Sequence, residues 1–162
     1  QTCALPISSN VTPAAEFNIY VDPEAARRVF GSGLPITLIT VDITNTALFT
    51  DTDIRKLEES RGRVSPKVGG LLRFFYTRNN NRFGLQGAPL HDPLTVAYVI
   101  RPDVIETRPV FADVETQGEL TRGRTVIDFF GVTGTPANVE VSVGLDLDLY
   151  KRLVFEAVSR FD

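Results

Sequence analysis

The sequence comprises 162 residues, of which 43% are hydrophobic and 23% are charged, and its net charge is −3. This length is sufficient for one domain with a sizeable core, and the slight negative charge gives no basic footprint for nucleic acid. No apolar run approaches the ~20 residues that a membrane-spanning helix needs. The single cysteine, Cys3, excludes an internal disulfide framework and a cysteine-rich zinc site. We therefore predict a protein that binds neither nucleic acid nor membranes.

The first residues of the chain, QTCALPI, match one reading frame of a common sequencing-adapter oligonucleotide. The alternative is a natural coil that happens to match. We interpret residues 1–8 as an adapter-derived artefact and residues 9–162 as part of a longer protein. Cys3 is then given no role, and the sequence does not allow a signal peptide to be judged.

Helix and strand signals follow one another along the first half of the chain. A helix is predicted to begin after Asp22, which is a good N-cap and is followed by proline, and to end at Phe30. The apolar, β-branched run at residues 34–43 predicts a strand buried on both faces. Residues 50–59 are predicted as a polar helix, and a further helix begins at Ser65, although two consecutive glycines inside it disfavour a helix.

The chain becomes richer in strands after residue 101. Before that point, residues 78–90 are predicted as a polar loop of a length that is often functional, and Asp92 is predicted to cap the helix that follows. The remaining elements are three strands and a final amphipathic helix, at residues 104–116, 121–130, 138–145 and 146–161. This order of elements predicts an α/β domain with a mixed sheet.

Two amides and a carboxylate lie close together near the start of the chain, at Asn10, Glu16 and Asn18. Sugar hydroxyls both donate and accept hydrogen bonds, and amide and carboxylate groups satisfy that mixture. In an extended segment Glu16 and Asn18 would point to the same face. The alternative is that Asn10 is a turn residue, Glu16 is exposed and Asn18 caps a helix. On spacing alone, this structural alternative is favoured.

The only histidine of the chain, His91, directly precedes Asp92. Histidine is the natural proton donor near neutral pH and can protonate a leaving group. Asp92 offers a hard oxygen ligand of the kind that calcium binds. The alternative is a helix-capping aspartate beside an incidental surface histidine. On the sequence alone this alternative is favoured, because a lone His-Asp pair is a weak signal.

Two further pairs are weaker candidates. Asp146 and Asp148 have the spacing of a metal pair, but capping of the last helix is favoured. Asp42 and Asn45 follow the predicted buried strand, where open α/β sheets tend to bind ligands, and ordinary turn chemistry is an equal alternative. The sequence defines neither a Ser-His-Asp triad nor a glycine-rich phosphate loop.

Several short blocks occur in a fixed order along the chain, at residues 10–18 (NVTPAAEFN), 22–26 (DPEAA), 41–45 (VDITN), 87–93 (GAPLHDP) and 120–128 (LTRGRTVID). In this order they resemble the C-terminal half of the inosine/uridine-preferring nucleoside hydrolases. Many members of that family carry histidine at the last position of the third block. The similarity extends over residues 9–161, and the order of the blocks makes it specific. It implies a Rossmann-like nucleoside hydrolase fold with a mixed sheet, of which residues 9–162 are the C-terminal portion only.

The resemblance implies an enzyme that hydrolyses the N-glycosidic bond of purine or pyrimidine ribonucleosides to ribose and free base. Asn10, Glu16 and Asn18 would bind the ribose hydroxyls. Asp92 would bind the sugar and also a Ca²⁺ cofactor, and His91 would protonate the departing base. The family also implies a cytoplasmic homodimer or homotetramer that acts in ribonucleoside catabolism and salvage.

Two positions before the His-Asp pair bear on which nucleobase the enzyme prefers. Pyrimidine-preferring members tend to carry Gln and Tyr in a mobile loop, where this chain has Asn79 and Phe83. Both are candidates for substrate binding. Phe83 can stack on a base but has no hydrogen-bond donor, so its presence does not decide the preferred base.

One family motif, the aspartate cluster Asp-x-Asp-x-x-x-Asp-Asp, is missing from this chain. It supplies the general base and most of the calcium ligands, so we expect this chain alone to have no significant hydrolase activity. The rival interpretation is a non-catalytic α/β module that binds a sugar or nucleoside, and an aspartate cluster upstream would separate the two. A third interpretation is a structural domain without a ligand.

Overall fold

The computed structural model describes residues 10–162, except for the side chains of Arg82 and Phe83. The adapter-derived origin predicted for residues 1–8 therefore concerns residues outside the described range, and so does the predicted role of the Phe83 side chain. The described chain divides into two compact units. Residues 10–42 and 106–143 form the first unit, and residues 43–105 and 144–162 form the second.

The helices are α1 (Phe17–Val21), α2 (Pro23–Phe30), α3 (Val41–Thr44), α4 (Asp51–Glu58), α5 (Ser65–Phe83), α6 (His91–Ile100) and α7 (Leu147–Ser159). The strands are β1 (Thr37–Leu38), β2 (Leu48–Phe49), β3 (Ala88–Pro89), β4 (Ile105–Val114), β5 (Thr125–Asp128) and β6 (Val139–Leu145). Four of the strands form one sheet in the order β1-β6-β4-β5, and β2 pairs with β3. A 3₁₀ turn at Pro102–Val104 leads into β4.

The sheet of the first unit is mixed, as the sequence predicts. Strand β1 runs parallel to β6, with Leu38 opposite Val141, and β4 runs antiparallel to β5, with Ala112 opposite Ile127. One face of the sheet carries a core of buried apolar side chains that α2 completes. Its buried members are Phe30, Val110, Ala112, Val114, Val139 and Val141.

A single amide side chain connects this core to the helix beside it. Asn138 accepts a hydrogen bond from the Ala112 backbone nitrogen at 2.8 Å and donates to the Ala112 oxygen at 2.9 Å. Its Nδ2 also donates to the Phe30 carbonyl at the end of α2, at 3.1 Å. These bonds satisfy backbone groups at a helix end and at a strand, and they fix the position of α2 against β4.

The second unit is mainly helical, and α4 packs closely against α5. A Cβ atom on Gly69 of α5 would lie only 2.7 Å from the Glu58 backbone nitrogen. The glycine that disfavours a helix by its propensity is therefore needed for the close approach of the two helices.

The start of α4 is fixed by a capping box between Thr50 and Asp53. Lys151 of α7 donates to the Asp53 carboxylate at 2.6 Å. Burial alone would raise the pKa of Asp53, but the hydrogen bonds from Lys151 and Thr50 outweigh burial and lower this pKa. The ionised carboxylate thus joins α7 to the first turn of α4.

Local capping signals in the sequence are confirmed. Asp22 accepts from the Ala25 nitrogen at the start of α2, and Asp146 accepts from the Leu149 nitrogen at the start of α7. The capping role favoured for Asp146 is therefore confirmed.

Three predictions of regular structure are wrong. The strand predicted at residues 34–43 is only β1, because the chain turns into α3 after Thr40, whose backbone nitrogen donates to the Ser142 hydroxyl. The loop predicted at residues 78–90 is helical over its first six residues, since α5 continues to Phe83 and ends where Gly84 adopts a φ of 68°. Helix α6 begins at His91, so Asp92 lies inside its first turn instead of capping it.

Candidate active site

The first unit contains the predicted sugar-binding residues, and two of them bond to the start of α1. Asn10 Oδ1 accepts from the Phe17 nitrogen at 2.8 Å. Glu16 Oε2 accepts from the nitrogens of Asn18 and Ile19, at 2.8 and 3.4 Å. Glu16 is therefore the N-cap of α1. The extended segment that would place Glu16 and Asn18 on one face is wrong, because Asn18 lies within the helix and is exposed.

The segment before α1 is wound into a tight turn around a buried residue. The backbone nitrogens of Asn10, Val11 and Thr12 all point to the Ala15 carbonyl, at 3.4, 3.3 and 3.5 Å. The Thr12 hydroxyl accepts from the Ala15 nitrogen at 2.9 Å, and Ala15 is fully buried. The turn gives Asn10 a defined position relative to α1.

Gly123, between β4 and β5, packs against this turn, a contact that the sequence does not reveal. It has a φ of +82°, and a Cβ atom there would lie 3.1 Å from the Ala15 Cβ and 3.2 Å from the Tyr20 Cα. Its backbone nitrogen donates to the Glu115 carbonyl at 2.7 Å. Only glycine combines that backbone conformation with so close an approach.

The second unit contains the His-Asp pair at the start of α6. His91 is partly buried, and its Nδ1 lies 2.6 Å from the hydroxyl oxygen of Thr44. Thr44 itself is only 4% exposed. The sequence did not single out Thr44, although it lies in the family-like block at residues 41–45.

A buried tyrosine supports the residue before the histidine. The Tyr150 hydroxyl donates to the Leu90 carbonyl at 3.0 Å, and the Tyr150 ring meets the ring of Phe49 edge-on, with 6.0 Å between the centroids. Burial raises the pKa of the Tyr150 phenol far above its usual range. The hydroxyl therefore stays protonated and acts as a donor at any physiological pH.

Asp92 is exposed on the first turn of α6, where a negative charge is stabilised by the helix dipole. Its carboxylate has the hard oxygens that calcium binds, but calcium takes about 6–8 oxygen ligands. Among residues 10–162, no group of three or more His, Cys, Asp or Glu side chains is placed to hold a metal ion. The described residues therefore fit one ligand of a calcium site and do not form a complete site.

Asn79 lies in α5 and not in a loop. Its side chain is buried, and Nδ2 donates to the Phe75 carbonyl one turn earlier at 2.8 Å. In the second unit, His91 and Asp92 thus both lie in the first turn of α6. The Asn79 amide is instead bonded to a carbonyl of its own helix, α5. A role for Asn79 in binding a base stays a prediction.

We expect Tyr150→Phe to lower the free energy of unfolding by about 1 kcal/mol, because the Leu90 carbonyl loses its hydrogen-bond donor. Urea unfolding followed by circular dichroism would measure the difference. Tyr20→Phe is the matched control, since Tyr20 is 45% exposed and its change is expected to stay below about 0.5 kcal/mol. Equal effects of the two substitutions would contradict a supporting role for Tyr150.

The resemblance of the sequence blocks to the nucleoside hydrolases implies an α/β fold with a mixed sheet, and the first unit has such a sheet. It also implies a His-Asp pair before a helix, and in the second unit the pair lies at the start of α6. The family model described as inosine-uridine preferring nucleoside hydrolase matches residues 4–152. The chain belongs to this family.

Relatives with curated names and solved structures agree with this assignment. The chain is 42% identical over 153 residues to the pyrimidine-specific ribonucleoside hydrolase RihA of Shewanella oneidensis, a match that covers 94% of this chain and 48% of the relative. It resembles the structure of a purine-preferring ribonucleoside hydrolase from Gardnerella vaginalis with a TM-score of 0.82 and 29% identity, over 94% of this chain and 48% of that one. A plant nucleoside hydrolase, PpNRh1, matches with a TM-score of 0.80 and 28% identity, over 92% of this chain and 49% of that one.

The chain spans about half the length of the curated relatives that it matches. Within the part of the chain that the structure describes, none of the helices is both long enough and apolar enough to cross a membrane.

Proposed function

We propose that this chain is the C-terminal half of a ribonucleoside hydrolase, which cleaves the N-glycosidic bond to give ribose and a free base. The observation that carries the proposal is the His91-Asp92 pair at the start of α6, in a chain that belongs to the nucleoside hydrolase family. Family membership also favours a hydrolase over a non-catalytic binding module. "Complete enzyme" below means this chain together with the segment that the proposal places before it.

In this proposal, Asn10, Glu16 and Asn18 bind the ribose hydroxyls. The start of α1 supports such a role for Glu16, because both of its backbone bonds reach Oε2, and a carboxylate has lone pairs on two oxygens. A carboxylate beside the sugar ring would also stabilise positive charge that develops on the ring as the glycosidic bond breaks.

His91 is the general acid in this proposal. A nucleobase that leaves with the bonding electrons carries negative charge, and a proton delivered to it lowers the barrier to bond cleavage. Imidazole is suited to this step because its ordinary pKa lies near neutral pH. His91 is the only histidine of the chain.

We further propose Ca²⁺ as the cofactor, with Asp92 as the one ligand that the described residues contribute. When bound, the ion would lower the pKa of a coordinated water and orient the sugar diol. The exposed carboxylate of Asp92 and its position on α6 are compatible with that role. The other ligands and the general base would come from the aspartate cluster that the family carries upstream.

Both purine and pyrimidine ribonucleosides belong to the proposed substrate class. The Shewanella relative is named pyrimidine-specific and the Gardnerella relative purine-preferring. Asn79 and Phe83 are the positions that we propose to influence the choice of base. By the same resemblance, we propose that the complete enzyme is a cytoplasmic homo-oligomer, a dimer or tetramer.

The test begins with the source DNA upstream of the Ser8 codon. We expect an open frame that contains the aspartate cluster, and we expect the complete enzyme to release ribose from uridine, cytidine or inosine with Ca²⁺ present. The chain alone, assayed in parallel, is expected to release none, because it lacks the general base. Added EDTA should abolish the activity of the complete enzyme, and Asn18→Ala should raise its KM without changing its melting temperature.

Three outcomes would contradict the proposal. A stop codon or an unrelated sequence upstream would favour a relic or a binding role. Binding of nucleosides without hydrolysis by the complete enzyme would favour the non-catalytic module. Ca²⁺-stimulated hydrolysis by the chain alone would show that the general base lies within this chain.

A further inference from the structure

We propose that Thr44 is a positioning residue for His91, and that its hydroxyl oxygen accepts a hydrogen bond from His91 Nδ1–H. The proposal deepens the proposed function, because it assigns the neutral ring of His91 one tautomer and one orientation. It rests on the 2.6 Å separation between Thr44 Oγ1 and His91 Nδ1. These two residues are 47 positions apart in the sequence, so the contact is made by the fold.

The fold of the second unit brings the two side chains together through β2 and β3. Leu48 pairs with Pro89 in antiparallel register. Thr44 precedes β2 by one turn of chain, and His91 follows β3 almost immediately. The same register therefore fixes both residues at one end of the ladder.

Each side of the contact is also fixed by its own backbone. The Thr44 carbonyl accepts from the nitrogen of Ala47, which is fully buried, at 3.1 Å. The Leu90 carbonyl, directly before His91, accepts from the Tyr150 hydroxyl at 3.0 Å. With both backbones held, a hydrogen bond between the side chains restricts rotation of the imidazole ring.

The direction of the hydrogen bond follows from the chemistry proposed for His91. When a protonated imidazole gives the proton on Nε2 to a leaving base, the neutral ring keeps its remaining proton on Nδ1. An acceptor at Nδ1 stabilises that product of the proton transfer. A helical threonine hydroxyl commonly donates to a carbonyl one turn earlier, and its oxygen can then accept a second bond. Thr44 therefore keeps a proton on Nδ1, so that Nε2 is the ring nitrogen from which a proton is released.

The test uses the histidine itself as a reporter, since the chain has no other. In ¹⁵N-labelled chain at about pH 9, where an ordinary imidazole is neutral, long-range ¹H–¹⁵N correlation reports which ring nitrogen carries the proton. We expect the Nδ1–H tautomer. The Nε2–H form, which free histidine prefers, or an averaged mixture of the two would overturn the proposal. This measurement needs no variant.

Three variants test whether the Thr44 hydroxyl itself sets the tautomer of His91. Thr44→Val keeps the shape of the side chain but removes the acceptor, so the ring is expected to change to the Nε2–H form. Thr44→Ser keeps the hydroxyl and is expected to retain Nδ1–H, which would hold even if the valine variant fails to fold. Thr46→Val is the matched control, because Thr46 is exposed and its hydroxyl donates to the Ile43 carbonyl at 2.7 Å. An unchanged tautomer in folded Thr44→Val, or a changed one in Thr44→Ser, would overturn the proposal.

The kinetic counterpart is measured in the complete enzyme. Thr44→Val is expected to lower kcat for ribonucleosides by ~10- to 100-fold with little change in KM, as for a misplaced catalytic group, and Thr44→Ser is expected to restore it. If the complete enzyme hydrolyses no ribonucleoside while the tautomer of the chain is Nδ1–H, the proposed function fails and the positioning by Thr44 stands. If hydrolysis is found and the tautomer is Nε2–H, the positioning fails alone.

Discussion

Replacing His91 with glutamine in the complete enzyme is expected to lower kcat for ribonucleosides by ~10²- to 10⁴-fold, the usual contribution of a positioned general acid. Glutamine retains hydrogen-bonding capacity at this position but does not deliver a proton near neutral pH. KM is expected to change little, because the ribose contacts are assigned to Asn10, Glu16 and Asn18. Steady-state kinetics with uridine and inosine would measure both parameters.

A substrate whose leaving group needs no proton is the internal control for this prediction. Nitrophenolate is stable as an anion, so a nitrophenyl riboside should be hydrolysed by the His91→Gln variant nearly as fast as by the unmodified enzyme. Equal losses on both kinds of substrate would mean that His91 acts on the sugar or on the fold. An unchanged kcat on nucleosides would remove His91 from the mechanism.

Elements with strong local signals could be predicted from the sequence. Asp22 and Asp146 each precede a helix and cap it as expected, because the cap is formed by neighbours in the sequence. The error at residues 78–90 has a local cause. Polar residues on the exposed side of the end of α5 have the composition of a loop, and the left-handed Gly84 that ends the helix lies later than the change in polarity suggests.

The strand predicted at residues 34–43 shows the limit of a hydrophobic pattern. An apolar, β-branched run is compatible with a buried strand and also with a short strand followed by a partly buried helical turn. The choice is made by contacts far along the chain, such as the bond from the Thr40 nitrogen to Ser142. A single sequence gives no sign of that contact.

The residues of the candidate site also fall into two groups, those that the sequence reveals and those that only the fold brings together. His91 and Asp92 are adjacent in the sequence, so their residue types mark them as a candidate pair, and the resemblance to the family assigns their roles. Thr44 and Tyr150, by contrast, are 47 and 60 residues away from the residues that they contact. The strands β2 and β3 that bring Thr44 to His91 contain two residues each. Strands this short leave no periodic pattern, so the support around His91 could not be predicted.

Truncating Phe49 to alanine is expected to lower the free energy of unfolding by about 4 kcal/mol, the range found for buried aromatic side chains. Phe49 is fully buried, and its ring meets those of Tyr150 and Phe155 with centroids 6.0 and 5.9 Å apart. Removing the ring would leave a cavity between β2 and α7. Urea unfolding of the two proteins would measure the change.

Phe74→Ala is the matched control, because Phe74 lies in the same unit and is 68% exposed. Its expected effect is below about 0.5 kcal/mol. A loss for Phe49→Ala no larger than the loss for Phe74→Ala would show that β2 is not part of the core of the second unit.

Phe49→Ala also tests the link between this core and the candidate site. Since Phe49 pairs with Ala88 just before His91, a folded Phe49→Ala protein should lose the single tautomer of His91 together with its stability.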